Sequence, residues 1–181
     1  TGVVLQEALL MGYDVYGTDL SPKMIEYTKA NLGWLEERRT KEEGTIVALK
    51  VADATSYTWD FSTLHPQPST CCIATETYLG QPLGGQSPSP EKLSEIVYKT
   101  NGTVRDFLKN IIHQLPASTS LCLAVPAWHV NGTLTRLPVI NDLRSIELTQ
   151  RRFAHAASPL IYRRDGQVTG RELLILTKNQ P

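Results

Sequence analysis

Three segments of this 181-residue chain carry a carboxylate just after a stretch rich in β-formers. Asp14-Val-Tyr-Gly-Thr-Asp19 is followed by Leu20, and Thr45 to Val51 by Ala52-Asp53-Ala54. Ala74-Thr75-Glu76-Thr77-Tyr78-Leu79-Gly80 puts an acid and an aromatic ring beside a glycine-rich loop. A carboxylate accepts several hydrogen bonds at once. Asp19 therefore suits a sugar diol, and Asp53 with its flanking amides suits the polar edge of a heterocycle. Glu76 could accept from an amine, and Tyr78 could stack on a planar ring. One Asp after a strand is equally well read as the N-cap of the next helix. Acids in this position after successive strands favour a ligand site, because open α/β sheets bind ligands outside the carboxyl ends of their strands.

The elements that must position these groups follow from periodicity and caps. Residues 3–11 read as a helix with Val4, Ala8 and Met11 on one face, ended by Gly12. Residues 14–19 form a strand. Ser21-Pro22 caps a helix to about Arg38, with Met24, Tyr27, Thr28, Asn31, Leu32 and Leu35 in its stripe. A strand over 45–51, an irregular connection over 54–69 and an apolar run over 70–75 come next. That run reads as a central buried strand. Ser89-Pro90 opens a long helix to about Leu115, which Asn101-Gly102 could kink, and 120–125 is another buried strand. A short helix over 139–148 leads to an antiparallel pair, 150–156 and 172–178. The alternation predicts one α/β domain over residues 1–181, a doubly wound sheet ending in an antiparallel hairpin. Thr1-Gly2 looks like the end of a glycine-rich turn that must follow a strand, so the sheet is expected to lack its first strand.

Composition narrows the class. Hydrophobic residues make up 41% and charged residues 20%, as in globular proteins rather than disordered, collagen-like or disulfide-scaffold chains. No window approaches the roughly 18 apolar residues of a membrane span, and no basic leader opens the chain. Cys71, Cys72 and Cys122 lie in strand-like runs and are expected to be reduced core residues of a cytoplasmic protein. No Cys/His spacing suggests a metal. Charge is uneven: residues 1–100 hold 8 basic and 13 acidic side chains, residues 136–181 hold 8 and 4. Arg151, Arg152, Arg163 and Arg164 are candidate phosphate contacts, with Tyr162 among them as a stacking ring. The plainer alternative is a strand edge protected by charge. His129, after Trp128, could face the site from a strand end or simply pack.

Thr1-Gly2, the run Gly17-Thr-Asp-Leu-Ser-Pro-Lys-Met24 and Ala52-Asp53-Ala54 together resemble class I S-adenosylmethionine-dependent methyltransferases. The chain is most similar to their nucleic-acid amino-methylases, particularly the THUMP-associated tRNA guanine-N2 enzymes. That resemblance implies a Rossmann-like sheet, with Thr1, Gly2, Asp19, Leu20, Asp53 and Ala54 holding the cofactor, Asp19 at its ribose. It implies RNA as partner, tRNA before DNA, with no membrane and no metal. The family's catalytic segment reads Asp/Asn-Pro-Pro-Tyr/Phe, whereas this chain has Thr75-Glu76-Thr77-Tyr78. Tyr78 matches the stacking position, Thr75 replaces the acid, and Glu76 serves as acceptor if the loop shifts by one residue. A catalytically silent module of the same fold, binding RNA or protein, is the alternative. A nicotinamide-dependent dehydrogenase comes third, since it too holds ribose with an acid.

Overall fold

Each helix starts where the sequence offers a cap. Ser21 Oγ accepts the Met24 amide at 3.4 Å and Pro22 takes the first helical position, so α2 runs Pro22–Glu36. Ser89 and Pro90 repeat this for α3, Pro90–Ile112, where the Lys92 amide reaches Ser89 Oγ at 3.3 Å. α3 continues unbroken through Asn101-Gly102. Asn101 accepts the Val139 amide at 2.7 Å and ties down a 3-10 helix over Pro138–Ile146.

The computed structural model describes residues 1–39, 44–61, 71–83, 87–116, 119–151, 153 and 159–179. The chain divides into two units, Thr1–Pro68 and Ser69–Pro181. In the first, α1 (Val3–Leu10) precedes β1 (Val15–Asp19), α2 and β2 (Ile46–Val51). The two strands are parallel, with Asp19 beside Val51. Leu9, Val15, Leu32 and Leu35 form the core, with Leu5, Ala8, Ile46 and Leu49 packed on it. α1 is apolar nearly all round, so its period could not select a face. Leu5, Ala8 and Leu9 turn inward, while Val4 and Met11, expected on one face with Ala8, are exposed. In α2, Ile25 is buried in place of Tyr27, whose ring lies 5.5 Å from the Lys23 ammonium.

The second unit opens with another parallel βαβ: β3 (Cys72–Glu76), α3 and β4 (Ser120–Val130). Every later pairing is antiparallel. β5 (Thr133–Arg136) joins the far end of β4, and β8 (Thr169–Lys178) lines β4 from Ser120 to Trp128. β6 (Leu148–Arg151) and β7 (Ile161–Tyr162) share the other edge of β8, giving the order β3-β4-β8-β6. The architecture is thus mixed α/β and Rossmann-like, with the antiparallel ending that the sequence predicts.

The details differ in three places. β4 continues beyond Val125 through Pro126. Along β4, pairing with β3 stops at Ala124 and pairing with β5 begins at Ala127, so the missing proline N–H falls in the gap between them. β3 is an edge strand of its sheet among the described residues, not a central buried one, and Cys72, Ala74 and Glu76 are exposed. The thiols are free, but Cys72 and Cys122 are exposed and Cys71 is half-buried, so they are not core residues. Burial here is one-sided: the face with Leu121, Leu123, Leu174 and Leu176 is buried, and Cys72 and Cys122 belong to the other. An apolar run does not tell whether one face or both will be covered. No helix among the described residues is long and apolar enough to cross a membrane.

Candidate functional site

The carboxyl edge of the β1–β2 pair brings two acids together. The Ala52 amide donates to the Asp19 carbonyl at 2.9 Å, which sets Asp53 one residue beyond the same edge. Asp19 Oδ1 accepts the Ser21 amide at 2.8 Å, and Oδ2 has no partner among the described residues. A half-buried carboxylate with one oxygen fixed and the other open fits the hydroxyls of a diol. Asp53 Oδ1 accepts the Thr55 amide at 2.9 Å and its hydroxyl at 2.7 Å. The Thr55 N–H first, and then its hydroxyl, holds the Asp53 carboxyl below the usual range. Leu20 beside Asp19 is exposed and Ala54 beside Asp53 is half-buried.

The Asp53 carbonyl also accepts the Ser56 and Tyr57 amides, at 3.1 and 2.9 Å, and a cluster of aromatic rings follows this turn. Tyr57 meets Trp59 edge-on at 5.3 Å, and Trp59 stacks on Phe61 at 6.4 Å. The Tyr57 and Tyr16 hydroxyls are 2.8 Å apart. Burial, followed by that hydrogen bond, pushes the Tyr16 hydroxyl up to about 12. The reading of 54–69 as irregular did not include this cluster. Its signal was the aromatic alternation at 57, 59 and 61.

Thr1 and Gly2 sit against α2. Asn31 Nδ2 donates to the Thr1 carbonyl at 3.0 Å, and Gly2 has φ +74°. A Cβ at Gly2 would lie 2.4 Å from Thr28 Cγ2, so glycine is required by backbone and packing alike.

In the second unit, Glu76 closes β3, and its Oε1 accepts a hydrogen bond from Arg171 Nε on β8. The arginine reaches over β4, where the intervening ladder positions are Ala124 and Pro126. Glu76 Oε2 has no partner among the described residues. Tyr162 stands beside Arg171 in the β7–β8 ladder, and Arg164 Nε donates to its hydroxyl at 3.3 Å. The Arg164 hydrogen bond and charge, with Arg171 adding its own, lower the Tyr162 hydroxyl. Glu76, Arg171, Tyr162 and Arg164 therefore form one continuous line. Arg163 is held by the Gln167 carbonyl at 3.0 Å, and Arg151 is exposed farther along, opposite Ile175. Arg152 lies outside the described residues.

Thr75 turns its hydroxyl to the Glu76 carbonyl at 3.1 Å. Tyr78 is 50% exposed, so its ring is available rather than packed beneath the loop. His129 is the penultimate residue of β4, beside its carboxyl end. It lies opposite Leu134, donates its amide to Val168 at 2.8 Å and buries Nδ1 without a partner among the described residues. β4 outruns its apolar core, so its carboxyl end falls at Val130 rather than at Val125. Arg171 was missed altogether. Its signal was the dipeptide Arg171-Glu172, two charges inside an otherwise apolar strand. Glu172, 0% exposed, turns the opposite way and takes Arg136 Nε at 2.8 Å on Oε2 and Nη2 on Oε1. No group of three or more potential metal ligands occurs among the described residues.

No family model and no curated protein matches this chain. Among solved structures, an rRNA methylase from Streptococcus thermophilus aligns over 92% of this chain and 76% of its own, at 14% identity and TM-score 0.45. A Thermus thermophilus protein, provisionally named a DNA modification methylase, aligns over 65% of this chain and 48% of its own. Its identity is 13% and its TM-score 0.33. What this chain does is therefore read from its own residues.

Proposed function

We propose that this chain transfers a methyl group from S-adenosylmethionine to an exocyclic amino group of a nucleic-acid base, with guanine in tRNA as the substrate. The observation that carries the reading is the pair Asp19 and Asp53 at one carboxyl edge of parallel strands, Asp19 with an open oxygen. When bound, the cofactor supplies a sulfonium-activated methyl. Asp19 accepts from ribose hydroxyls, the Asp53–Ala54 turn takes the adenine edge, and Thr1-Gly2 forms the backbone turn ahead of α1. On the acceptor side, Tyr78 stacks on the base and Glu76 Oε2 accepts from the amine. Tyr162, Arg151, Arg152, Arg163 and Arg164 meet the nucleic-acid backbone. Methyl transfer is an in-line displacement, so positioning of this kind supplies much of the rate.

One observation favours a second reading. Glu76 is already engaged by Arg171, and Thr75 stands where the resemblance calls for an acid. A silent module that holds cofactor and RNA without turnover fits this arrangement. The test is calorimetric titration of S-adenosylmethionine into the chain, with NAD as control, followed by labelled methyl transfer to bulk tRNA, rRNA and DNA. Selective binding with transfer to tRNA supports the enzyme. Binding without transfer supports the silent module, and no binding rejects both cofactor readings.

A further inference from the structure

The two ion pairs of β8 are joined differently. Arg136 closes a fork on Glu172, with Nε on Oε2 at 2.8 Å and Nη2 on Oε1. Both carboxylate oxygens are used, and the acid is 0% exposed. Arg171 gives Glu76 a single bond, from Nε to Oε1. Its two Nη groups, and Glu76 Oε2, have no partner among the described residues. Arginine and carboxylate commonly meet through two bonds, so a pair held by one keeps capacity for a third group.

The surroundings leave that capacity open. Glu76 ends β3 and Arg171 stands on β8, with Ala124 and Pro126 of β4 as the ladder positions between them. Neither of those side chains carries a donor or acceptor that could occupy the pair. Along the other edge of β8 the neighbour of Arg171 is Tyr162, and Glu172 is turned away to Arg136. The Arg171 and Glu76 side chains remain 29% and 50% exposed, so a ligand can reach both.

From end to end the pair offers an acceptor, Oε2, then a half-used acceptor, Oε1, and then the Nη donors. Its complement is an edge with two donors followed by an acceptor. Guanine has that order on its pairing edge: the C2 amine, the ring N1–H and the O6 carbonyl. Adenine and cytosine place a ring acceptor directly beside the amine, where it would face Oε1, and uracil has no amine. We infer that Arg171 is a specificity-determining residue of the proposed transfer and selects guanine, donating through Nη to O6 while Glu76 holds the amine and N1–H. This rests on the proposed role of Glu76 and deepens it. A carboxylate alone accepts from the amine of guanine, adenine or cytosine, and the arginine supplies the choice among them.

The test is binding of one short single-stranded RNA to the full chain, by anisotropy at constant salt, with a single base varied. The base is guanine, 2-aminopurine, which keeps the amine and lacks O6, or hypoxanthine, which keeps O6 and lacks the amine. Guanine should bind at least about tenfold tighter than either, because a site that hydrogen-bonds a group rejects the analogue without it. Arg171→Met should bring guanine to the level of 2-aminopurine and keep its advantage over hypoxanthine, which reports the Glu76 end. Arg171→Lys preserves the charge without the paired Nη groups, and it should hold overall affinity while losing most of the preference over 2-aminopurine. A preference that survives in both variants, or equal losses for all three RNAs, overturns the selection and leaves Arg171 a structural tie or a phosphate contact. RNA that binds the parent chain without preference also overturns it, and methyl transfer is then judged by its own assay. RNA that fails to bind the parent chain overturns the nucleic-acid reading and the selection together.

Discussion

The chain contains two parallel βαβ segments that end in acids, and they satisfy those acids in different ways. In β1-α2-β2, Asp19 and Asp53 are held by amides and a hydroxyl two residues away, at Ser21 and Thr55. In β3-α3-β4, Glu76 is held by Arg171, 95 positions later in the chain. Local capping orients one oxygen of an acid and leaves the other for a ligand. A distant arginine couples the acid to another strand and its neighbours, Tyr162 and Arg164. The first arrangement is set by contacts within the turn itself. The second makes the orientation of Glu76 depend on how the sheet is assembled.

A second contrast lies within β8, where adjacent residues Arg171 and Glu172 pair in opposite directions. The two arginines are alike in exposure, 31% at Arg136 and 29% at Arg171, but Glu172 is fully buried whereas Glu76 is 50% exposed. Arg136→Met should leave Glu172 buried without its counter-charge and cost about 3–5 kcal/mol in urea unfolding. Arg171→Met should cost no more than about 1 kcal/mol, because water screens its pair. Equal losses would erase the distinction between a structural and a functional arginine.

Asp19→Ala comes next. It should weaken S-adenosylmethionine about a hundredfold through loss of charge-assisted hydrogen bonds. Undiminished affinity by calorimetry would remove Asp19 from the site. Glu76→Gln should spare cofactor affinity and lower turnover about a hundredfold, as expected when a nucleophile is misoriented. If turnover holds, the acceptor lies elsewhere and Arg171 merely fastens the loop.

Arg164→Gln should weaken every RNA alike and lower the salt slope by about one contact. A sequence-dependent loss would instead make it a base reader. The smallest effect belongs to Asp53→Asn. The Asp53 carboxyl is depressed in the folded chain, so its contribution is present above the unfolded carboxylate value and fades as pH falls through the folded one. The variant should flatten the acid limb of the pH–stability curve in that window. An unchanged curve would mean that Thr55 caps the turn without any preference for charge.

How much was legible depends on the range of the interaction. Ser21-Pro22 and Ser89-Pro90 announced both long helices, because a cap is a bond across three residues. Asp19 and Asp53 were found for the same reason, since an acid after a β-rich run lies at a strand end whatever the rest of the chain does. The terminal antiparallel strands were legible too, although β4 runs on to Val130, so that its carboxyl end stands beside His129 rather than at Val125.

Burial on one side only was not legible. An apolar run does not record what will cover it, so Cys72 and Cys122 were placed inside and proved exposed. The inner face of α1 was likewise undetermined, because apolar residues surround that helix. The sequence by itself determined where helices begin, where strands end and which acids stand there, through contacts a few residues long. Tertiary structure alone decided that Arg171 meets Glu76, that Tyr162 stands beside Arg171 and that Glu172 turns the opposite way to Arg136. Those outcomes depend on which strands become neighbours. Chain segments far apart in sequence must meet before either is defined.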